Sequence, residues 1–272
     1  MFEKIITHKG GAHRDDFLSC CIALTQNPEA MIFRQDPTPE ELMDPSVLVL
    51  DVGCVTIPEN NSFDHHQEGD MDCTFVQYLQ HLSLEHYFRA AYPWIDFTNT
   101  LDTRGPTQTM EAFDIPRESF YATLSPIESQ MIQMFSDSTG VFPGDPLHLM
   151  MTLIGEQLIS HAEEMGERLD MLEGAMTLTN LCGINIYSHS IKENPTLAMT
   201  KWLEGRDAGV TICPDDRGDG WMLYRVDDHP RVNFSVIEDD DNVIFAHKGG
   251  FIAKTKPMSL PEAMVLVERS IS

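Results

Sequence analysis

The apolar run Val47-Leu48-Val49-Leu50 ends in Asp51, and after a turn-rich segment Asp64, His65 and His66 stand together. A short continuous apolar run bounded by turn residues suits a buried strand, although periodicity alone does not separate it from a helix. In an open α/β sheet, ligands gather at the carboxyl ends of the strands, which is where Asp51 falls. Two imidazoles beside carboxylates are the usual material of a transition-metal site. This stretch, Val47 to Gln67, constrains the rest of the chain more than any other.

The preceding segments repeat the same pattern. Phe2 to Thr7 reads as a strand, then His8-Lys9-Gly10-Gly11-Ala12-His13-Arg14-Asp15-Asp16 leads into an apolar helix from Phe17 to about Leu24. His8, His13 and Asp15 can point from such a strand-to-helix loop into one crevice, while Asp15 or Asp16 has capping of the helix as its alternative duty. Ala30–Arg34 reads as a second strand, Pro37–Asp44 as a connection holding a short helix, and Val47–Val52 as a third strand. Strands alternating with helices predict an α/β fold with a parallel sheet.

Cys73 to about Tyr92 has helical spacing, with Phe75, Tyr78, Leu79, Leu82 and Phe88 as core, and His81 and His86 as structural or surface residues. Trp94–Leu101 continues helical until Asp102-Thr103-Arg104-Gly105-Pro106 is expected to break it. A helix near 127–136 follows, then one long helix or two stacked ones from Leu147 to about Cys182. His148 and His161 on that segment read as ordinary helical residues. Beyond Gly183, strand-like runs at 184–187, 209–213, 221–226, 232–237 and 243–246 alternate with turns, with helices at Pro195–Glu204 and Leu260–Ser270. The expected division is a catalytic domain (1–145), a connecting helix (146–182) and a smaller C-terminal α+β domain (183–272).

The 272 residues are 42% hydrophobic and 22% charged, and no apolar run approaches the roughly 20 residues that span a bilayer. The start does not read as a signal peptide, and the six cysteines form no CxxC pair or regular framework. Free thiols and a cytoplasmic location are therefore expected. Eighteen basic against 43 acidic residues give a net charge of −25. Such a surface repels long nucleic acid, which needs several phosphates neutralised, but leaves room for a short nucleotide held locally by cations.

Taken together, His8, His13, Asp15, Asp51, His65 and Asp102 supply imidazoles and carboxylates near expected strand ends and helix breaks. Mixed nitrogen and oxygen donors suit Mn²⁺ and also Fe²⁺, Co²⁺ or Zn²⁺; Mg²⁺ prefers fewer imidazoles. Two such ions stabilise the attacking and leaving oxygens of a phosphoryl transfer and lower the pKa of a bridging water. Near the C-terminal end, Ala246-His247-Lys248-Gly249-Gly250-Phe251 forms a glycine turn with a cation, a weak phosphate-binding pattern.

The set His8-x4-His13-x-Asp15, Asp51, Asp64-His65-His66 and Asp102 resembles the DHH phosphoesterase superfamily. Within it, THKGGAHRDD, FRQDP, VLVLDVGCVTIPENNSFDHHQ, CPDDRGDGWMLYRV and VIFAHKGGFIAKT are similar to segments of the melanocyte-proliferating-gene exonuclease family, related to RecJ. There are departures. Cys54 stands where that family has a second glycine, and Ala12-His13-Arg14-Asp15 replaces Phe-His-Cys-Asp. The segment between Val226 and Val243 is short, and His247-Lys248-Gly249-Gly250 only approximates the closing turn.

The resemblance implies two divalent ions, one held by His8, His13 and Asp51 and the other by Asp15, Asp51, His65 and Asp102, so that Asp51 bridges them. It implies Asp64 as their support and His66 as the catalytic residue facing the scissile phosphate. Lys248, Gly249, Gly250, Arg225 and Arg104 are the expected substrate contacts. The expected activity is phosphodiester hydrolysis of short oligonucleotides or small nucleotides in exonuclease fashion. A phosphoanhydride (pyrophosphatase-like) hydrolase and a non-catalytic metal-binding sensor are the alternatives.

Overall fold

A computed structural model describes residues 2–67, 69–122, 125–192 and 196–272. The chain forms two compact units, residues 1–165 and 166–272.

The first unit runs β1 (Lys4–Thr7), α1 (Arg14–Gln26), β2 (Met31–Arg34), α2 (Pro39–Leu42), β3 (Val47–Leu50), β4 (Ser62–Phe63), α3 (Thr74–His81) and α4 (Glu85–Ala91). It continues through α5 (Trp94–Ala112), α6 (Arg117–Ala122), α7 (Pro126–Asp137) and β5 (Gly140–Val141) into α8 (Pro146–Ala175), within which the unit boundary falls. The sheet order is β4-β3-β1-β2-β5. β1, β2, β3 and β4 are mutually parallel where they pair, and β5 closes the β2 edge antiparallel. This is the mixed α/β fold with a parallel sheet that the strand–helix alternation predicts. β3 is buried at every position, as its unbroken VLVL requires.

Register builds the functional edge. Thr7 pairs with Leu50 and with Arg34, and Leu50 pairs with Phe63. The next residues out of three neighbouring strands, His8, Asp51 and Asp64, therefore leave the sheet side by side at its carboxyl edge. The core beneath them joins Ile5, Ile32, Leu48 and Leu50 of the strands to Phe17, Ile22, Phe75 and Leu79 of the helices. α1 meets α8 so closely at Gly155 that a Cβ there would lie 2.1 Å from the Cys21 carbonyl oxygen. Gly155→Ala is expected to destabilise the protein by about 2–3 kcal/mol, because backbone cannot yield as a flexible side chain would. Thermal unfolding should fall by roughly 5 °C; an unchanged midpoint would mean the helices separate without cost.

The second unit, after the end of α8, runs β6 (Thr177–Leu181), β7 (Ile184–Ser188), α9 (Thr196–Leu203), β8 (Val210–Pro214), β9 (Trp221–Arg225), β10 (Val243–Ala246), β11 (Ile252–Thr255) and α10 (Leu260–Arg269). Its sheet order is β10-β11-β9-β8-β7-β6, with only β7 and β8 parallel. Ile184, Ile186, Val210, Ile212, Leu223, Phe234 and Leu266 form its core.

Several sequence expectations need correction. The single helix over Cys73–Tyr92 is two, because Ser83 adopts φ +58° and stops the first. One expectation about this region holds: α5 (Trp94–Ala112) is two helices divided at Gly105, whose φ +77° and ψ 171° are not helical, so Asp102 lies in the last turn before the break and Pro106 opens the next helix. The long helix ends at Ala175, not Cys182. Thr177–Leu181 is a strand, turned onto β7 by Cys182 (φ +53°) and Gly183 (φ +79°), both left-handed as a tight hairpin requires. The expected strand at 232–237 is largely a 3-10 turn, Phe234–Ile237, and only Val232 bridges to Ile271. β11 has no counterpart among the expected strands. Pro195, expected to open α9, lies outside the described residues.

The six cysteines are free. Among the described residues no helix is long and apolar enough to cross a membrane.

Candidate metal centre

Each side chain of the candidate site is delivered by a strand end, the loop or helix behind it, or a helix packed nearby. Asp51 leaves β3 with its N–H still donating to Phe63 O (2.8 Å), then turns into the left-handed region at φ +58°. Such backbone is costly for a residue with a Cβ and recurs at functional sites. The carboxylate is buried; Thr74, at the start of α3, donates its hydroxyl to Asp51 Oδ1 at 3.1 Å. His65 Nδ1 lies 3.3 Å from Asp51 Oδ1, and His8 Nε2 lies 3.5 Å from Asp51 Oδ2. Asp51 thus faces His8 through Oδ2 and His65 through Oδ1, with His66 Nδ1 also 3.7 Å from Oδ1.

Asp102 reaches the same place from α5. His65 Nε2 is 3.0 Å from Asp102 Oδ2, and the exposed His13 Nδ1 is 3.5 Å from Asp102 Oδ1. Asn99, one turn earlier, accepts from the Cys73 N–H and donates to Asp72, each at 2.7 Å, which fastens α5 to the head of α3. Asp15, in the first turn of α1, is fully buried, and neither of its carboxylate oxygens has a hydrogen-bond partner among the described residues. Burial pushes its carboxyl well above the usual carboxylate range, and the charges of Asp51, Asp102 and Asp16 add to the effect. Burial opposes charge on His65, but hydrogen bonds to Asp102 and Asp51 prevail and push its pKa up to about 10.

Three sets of side chains each bring their donor atoms within 4.8 Å of one another: His8, His13 and Asp51; Asp15, Asp51, His65 and Asp102; and Asp51, Asp64, His65 and His66. The first two coincide with the two ligand sets implied by the motif resemblance, and Asp51 belongs to all three. An orphaned buried carboxylate among converging imidazoles fits a divalent cation. Without one, Asp15 would have to remain protonated or bear an unpaired buried charge.

Asp64 is occupied in holding its own loop. Its Oδ1 accepts from the N–H groups of His65 (2.7 Å) and His66 (3.1 Å) and lies 2.6 Å from His66 Nδ1, while Oδ2 accepts from the Cys54 N–H at 2.6 Å. These contacts keep its carboxyl below the usual range although burial works against them. Cys54 sits at φ +54°, the conformation glycine takes at least cost. His66 stacks on His65 (4.3 Å between centroids) and is half-exposed, with Nε2 as the nitrogen left for a ligand.

A cleft of about 340 Å³ opens beside His13, Asp15 and Asp102, walled by Thr98, Leu101 and Ile132. Among the described residues, the one Arg or Lys lining it is Arg14, held through Nε and Nη2 by Glu128 and through Nη1 by Thr98. Arg104 is exposed on α5 and does not line this cleft. The other expected substrate contacts belong to the second unit. There Lys248 Nζ binds both carboxylate oxygens of Glu238 (2.7 and 2.5 Å), and Arg225 donates to Val232 O and Asp228. Gly250 takes φ +70° against Asn233, whose Oδ1 a Cβ would meet at 2.0 Å; Gly249 donates to His247 Nδ1.

Sequence reasoning missed Thr74 and Asn99, whose roles depend on which helices meet. It also gave Asp16 only a capping role, whereas Asp16 is fully buried against His8 and Arg34.

Residues 4–83 match the family model MYG1_exonuc, described as an uncharacterised protein family (UPF0160). No curated protein matches the chain. Among solved structures, the DHH domain of a member of the s1p family of ribosomal proteins aligns at 13% identity and a TM-score of 0.34, over 98% of this chain and 86% of that one. RecJ from Thermus thermophilus, in complex with Mn²⁺, aligns at 11% identity and a TM-score of 0.34, over 98% of this chain and 51% of that one. A putative family II inorganic pyrophosphatase from Methanococcus jannaschii aligns at 10% and 0.26, over 98% and 99%. At such values the likeness bears on no residue's role.

Proposed function

We propose, on the premise that residues 4–83 belong to the MYG1_exonuc family, that the chain is a metal-dependent phosphoester hydrolase acting on phosphodiesters of short oligonucleotides or small nucleotides. The observation that carries this reading is Asp51, buried at a strand end and common to three sets of converging donors. Bound there, two divalent ions, Mn²⁺ by the mixed donor chemistry, would neutralise the phosphoryl group and lower the pKa of water. His8, His13 and Asp51 would hold one, and Asp15, Asp51, His65 and Asp102 the other. Asp64 fixes the loop that carries His65 and His66. His66 offers Nε2 to the leaving oxygen, as proton donor or as stabiliser of charge.

The phosphodiester reading is preferred to the phosphoanhydride one because, beyond the donor residues His13, Asp15 and Asp102, the cleft is lined by neutral side chains and by an arginine already paired with Glu128. A second phosphate would find no unpaired Arg or Lys among the described residues there, whereas a nucleoside or other neutral ester group would need none. Lys248, Gly249, Gly250, Arg225 and Arg104 remain proposed contacts for the far side of the substrate. The net charge of −25 limits that substrate to short chains. The free thiols suit a cytoplasmic setting.

A substrate panel tests this reading. With Mn²⁺, the purified chain should hydrolyse a dinucleotide, a short RNA or bis(p-nitrophenyl) phosphate, and release little phosphate from pyrophosphate. Pyrophosphate turnover in preference to all three diesters would replace it with the anhydride reading. Tight Mn²⁺ binding with no turnover on any substrate would favour a sensor.

A further inference from the structure

The loop between β1 and α1 carries His8 and His13, has two glycines, and leaves His13 exposed. Left to itself, such a segment samples many conformations, and each frozen residue costs about 1–2 kcal/mol of entropy. Something must hold both histidines for a cation to find them together. The structure contains a closed set of contacts around that loop, made by residues outside the three cation-capable groups.

Asp16 is its hub. Its Oδ1 accepts the backbone N–H of His13 at 2.8 Å and that of Phe17 at 2.8 Å. Its Oδ2 lies 3.1 Å from His8 Nε2 and 3.9 Å from Arg34 Nη2. One carboxylate therefore hydrogen-bonds the His13 backbone and lies against the His8 ring as a charge contact, Oδ2 and Nε2 making no hydrogen bond. Capping of α1 accounts for Oδ1 alone. It explains neither the complete burial of Asp16 nor Arg34, itself only 5% exposed, placed behind it.

Arg34 ends β2 opposite Thr7, the residue before His8. Its Nη1 donates to the carbonyls of Phe135 (3.1 Å) and Ser136 (2.7 Å) at the end of α7, and its guanidinium lies over the Phe135 ring at 4.8 Å. Ser136 closes the circuit: its hydroxyl donates to Gly10 O (3.1 Å) and accepts the Ala12 N–H (3.2 Å). At 3.9 Å, Arg34 offsets the buried charge of Asp16 without hydrogen-bonding Oδ2, so that oxygen is free to face His8.

We propose that Asp16 is a positioning residue for the His8–His13 loop and that Arg34 holds it in place, so that the group His8, His13 and Asp51 forms only while this pair is intact. The inference rests on reading that group as one of two cation sites. Nothing in it requires Asp16 to touch the ion or the substrate.

The full-length chain titrated with MnCl₂, followed by calorimetry and by electron paramagnetic resonance, tests it. Wild type should bind two ions. Asp16→Asn keeps an acceptor for the His13 N–H and removes the charge facing His8. It should bind the ion of the Asp15, Asp51, His65 and Asp102 group at close to wild-type affinity and the other at least about tenfold more weakly. Asp16→Glu, whose carboxylate can still reach back to the His13 N–H from the third position of the helix, should restore much of the loss. Two ions bound to Asp16→Asn at wild-type affinity would overturn the proposal, as would equal weakening of both in a folded variant. If Asp16→Asn fails to fold, Arg34→Lys is measured instead. It keeps the positive charge but loses the fork, and the same selective loss is expected. If wild type binds no Mn²⁺ the hydrolase reading fails, and the metal-free chain decides this one: imidazole ¹⁵N shifts of His8 should differ between wild type and Asp16→Asn, and identical shifts would sink it.

Discussion

Asp51→Asn is expected to lose tight Mn²⁺ binding at both proposed sites and at least about a thousandfold in kcat/KM on a short phosphodiester, or about 4 kcal/mol of transition-state stabilisation. The substitution keeps the size of the side chain and an acceptor for the Thr74 hydroxyl, so packing is little disturbed. What it removes is a negative charge facing His65 at 3.3 Å on one side and His8 at 3.5 Å on the other. Calorimetry gives the ion count, and thermal unfolding provides a control independent of turnover. At a free Mn²⁺ concentration a hundredfold above Kd, wild type should gain about 2.7 kcal/mol for each ion bound, a rise of roughly 5–10 °C per ion. Melting curves of Asp51→Asn with and without Mn²⁺ should coincide. A variant that still binds two ions would remove Asp51 from the bridging position.

The protonation of the site gives this result a pH dependence with a definite sign. His65 is raised from 6.5 to about 10 in the metal-free fold, and Asp15 is held well above the usual carboxylate range. Both shifts are upward. The stabilising contribution of His65 is complete below pH 6.5 and fades as the pH rises toward 10; ionisation of Asp15 works in the same direction. The metal-free protein should therefore lose stability between pH 6.5 and 10. Ion uptake must displace the same protons, so Mn²⁺ affinity should increase over that interval and each binding event should release protons to the buffer. Asp51→Asn should show neither the release nor the affinity trend.

Local patterns made the parallel sheet and the converging donors legible, and long-range packing hid the rest. VLVL followed by an acid can be read as a buried strand delivering a side chain to its carboxyl edge, and the register of β1, β3 and β4 then sets His8, Asp51 and Asp64 side by side. Asp102 was legible both as a residue and as a position in the last turn before a helix break. Gly105-Pro106 reads as the end of a helix, and Gly105 at φ +77° does end it, with Pro106 opening the next. The hairpin of β6 and β7 was not legible, since Cys182-Gly183 is a rarer tight-turn pair than Asn-Gly and a lone Gly174 is a weak stop for the preceding helix. Asp16 shows the limit of local reasoning most directly. Its place at the head of a helix announces a cap, while its second duty depends on Arg34 of another strand and on the end of α7.

His66→Gln is expected to separate ion binding from chemistry. His66 is half-exposed, its Nδ1 lies 2.6 Å from Asp64 Oδ1, and its ring stacks on His65. Held this way it presents Nε2, and on the proposed reading Nε2 serves the leaving oxygen, a role worth about 10²–10⁴ in rate. The variant should bind two Mn²⁺ ions at wild-type affinity, keep KM, and lose kcat by about that factor on a dinucleotide, whose leaving alkoxide needs a proton. On bis(p-nitrophenyl) phosphate the loss should be far smaller, because p-nitrophenolate departs without protonation. Equal losses on both substrates would mean that His66 acts through charge on the phosphoryl group instead. The loss of one ion together with the rate would move it into the ligand set with Asp51, Asp64 and His65, whose donor atoms lie within 4.8 Å of one another. Asp64→Ala provides the complementary measurement. It frees the His65 and His66 backbone N–H groups and the His66 ring at once, so it should weaken the His65-containing ion site as well as the rate, a double effect that His66→Gln alone should not show.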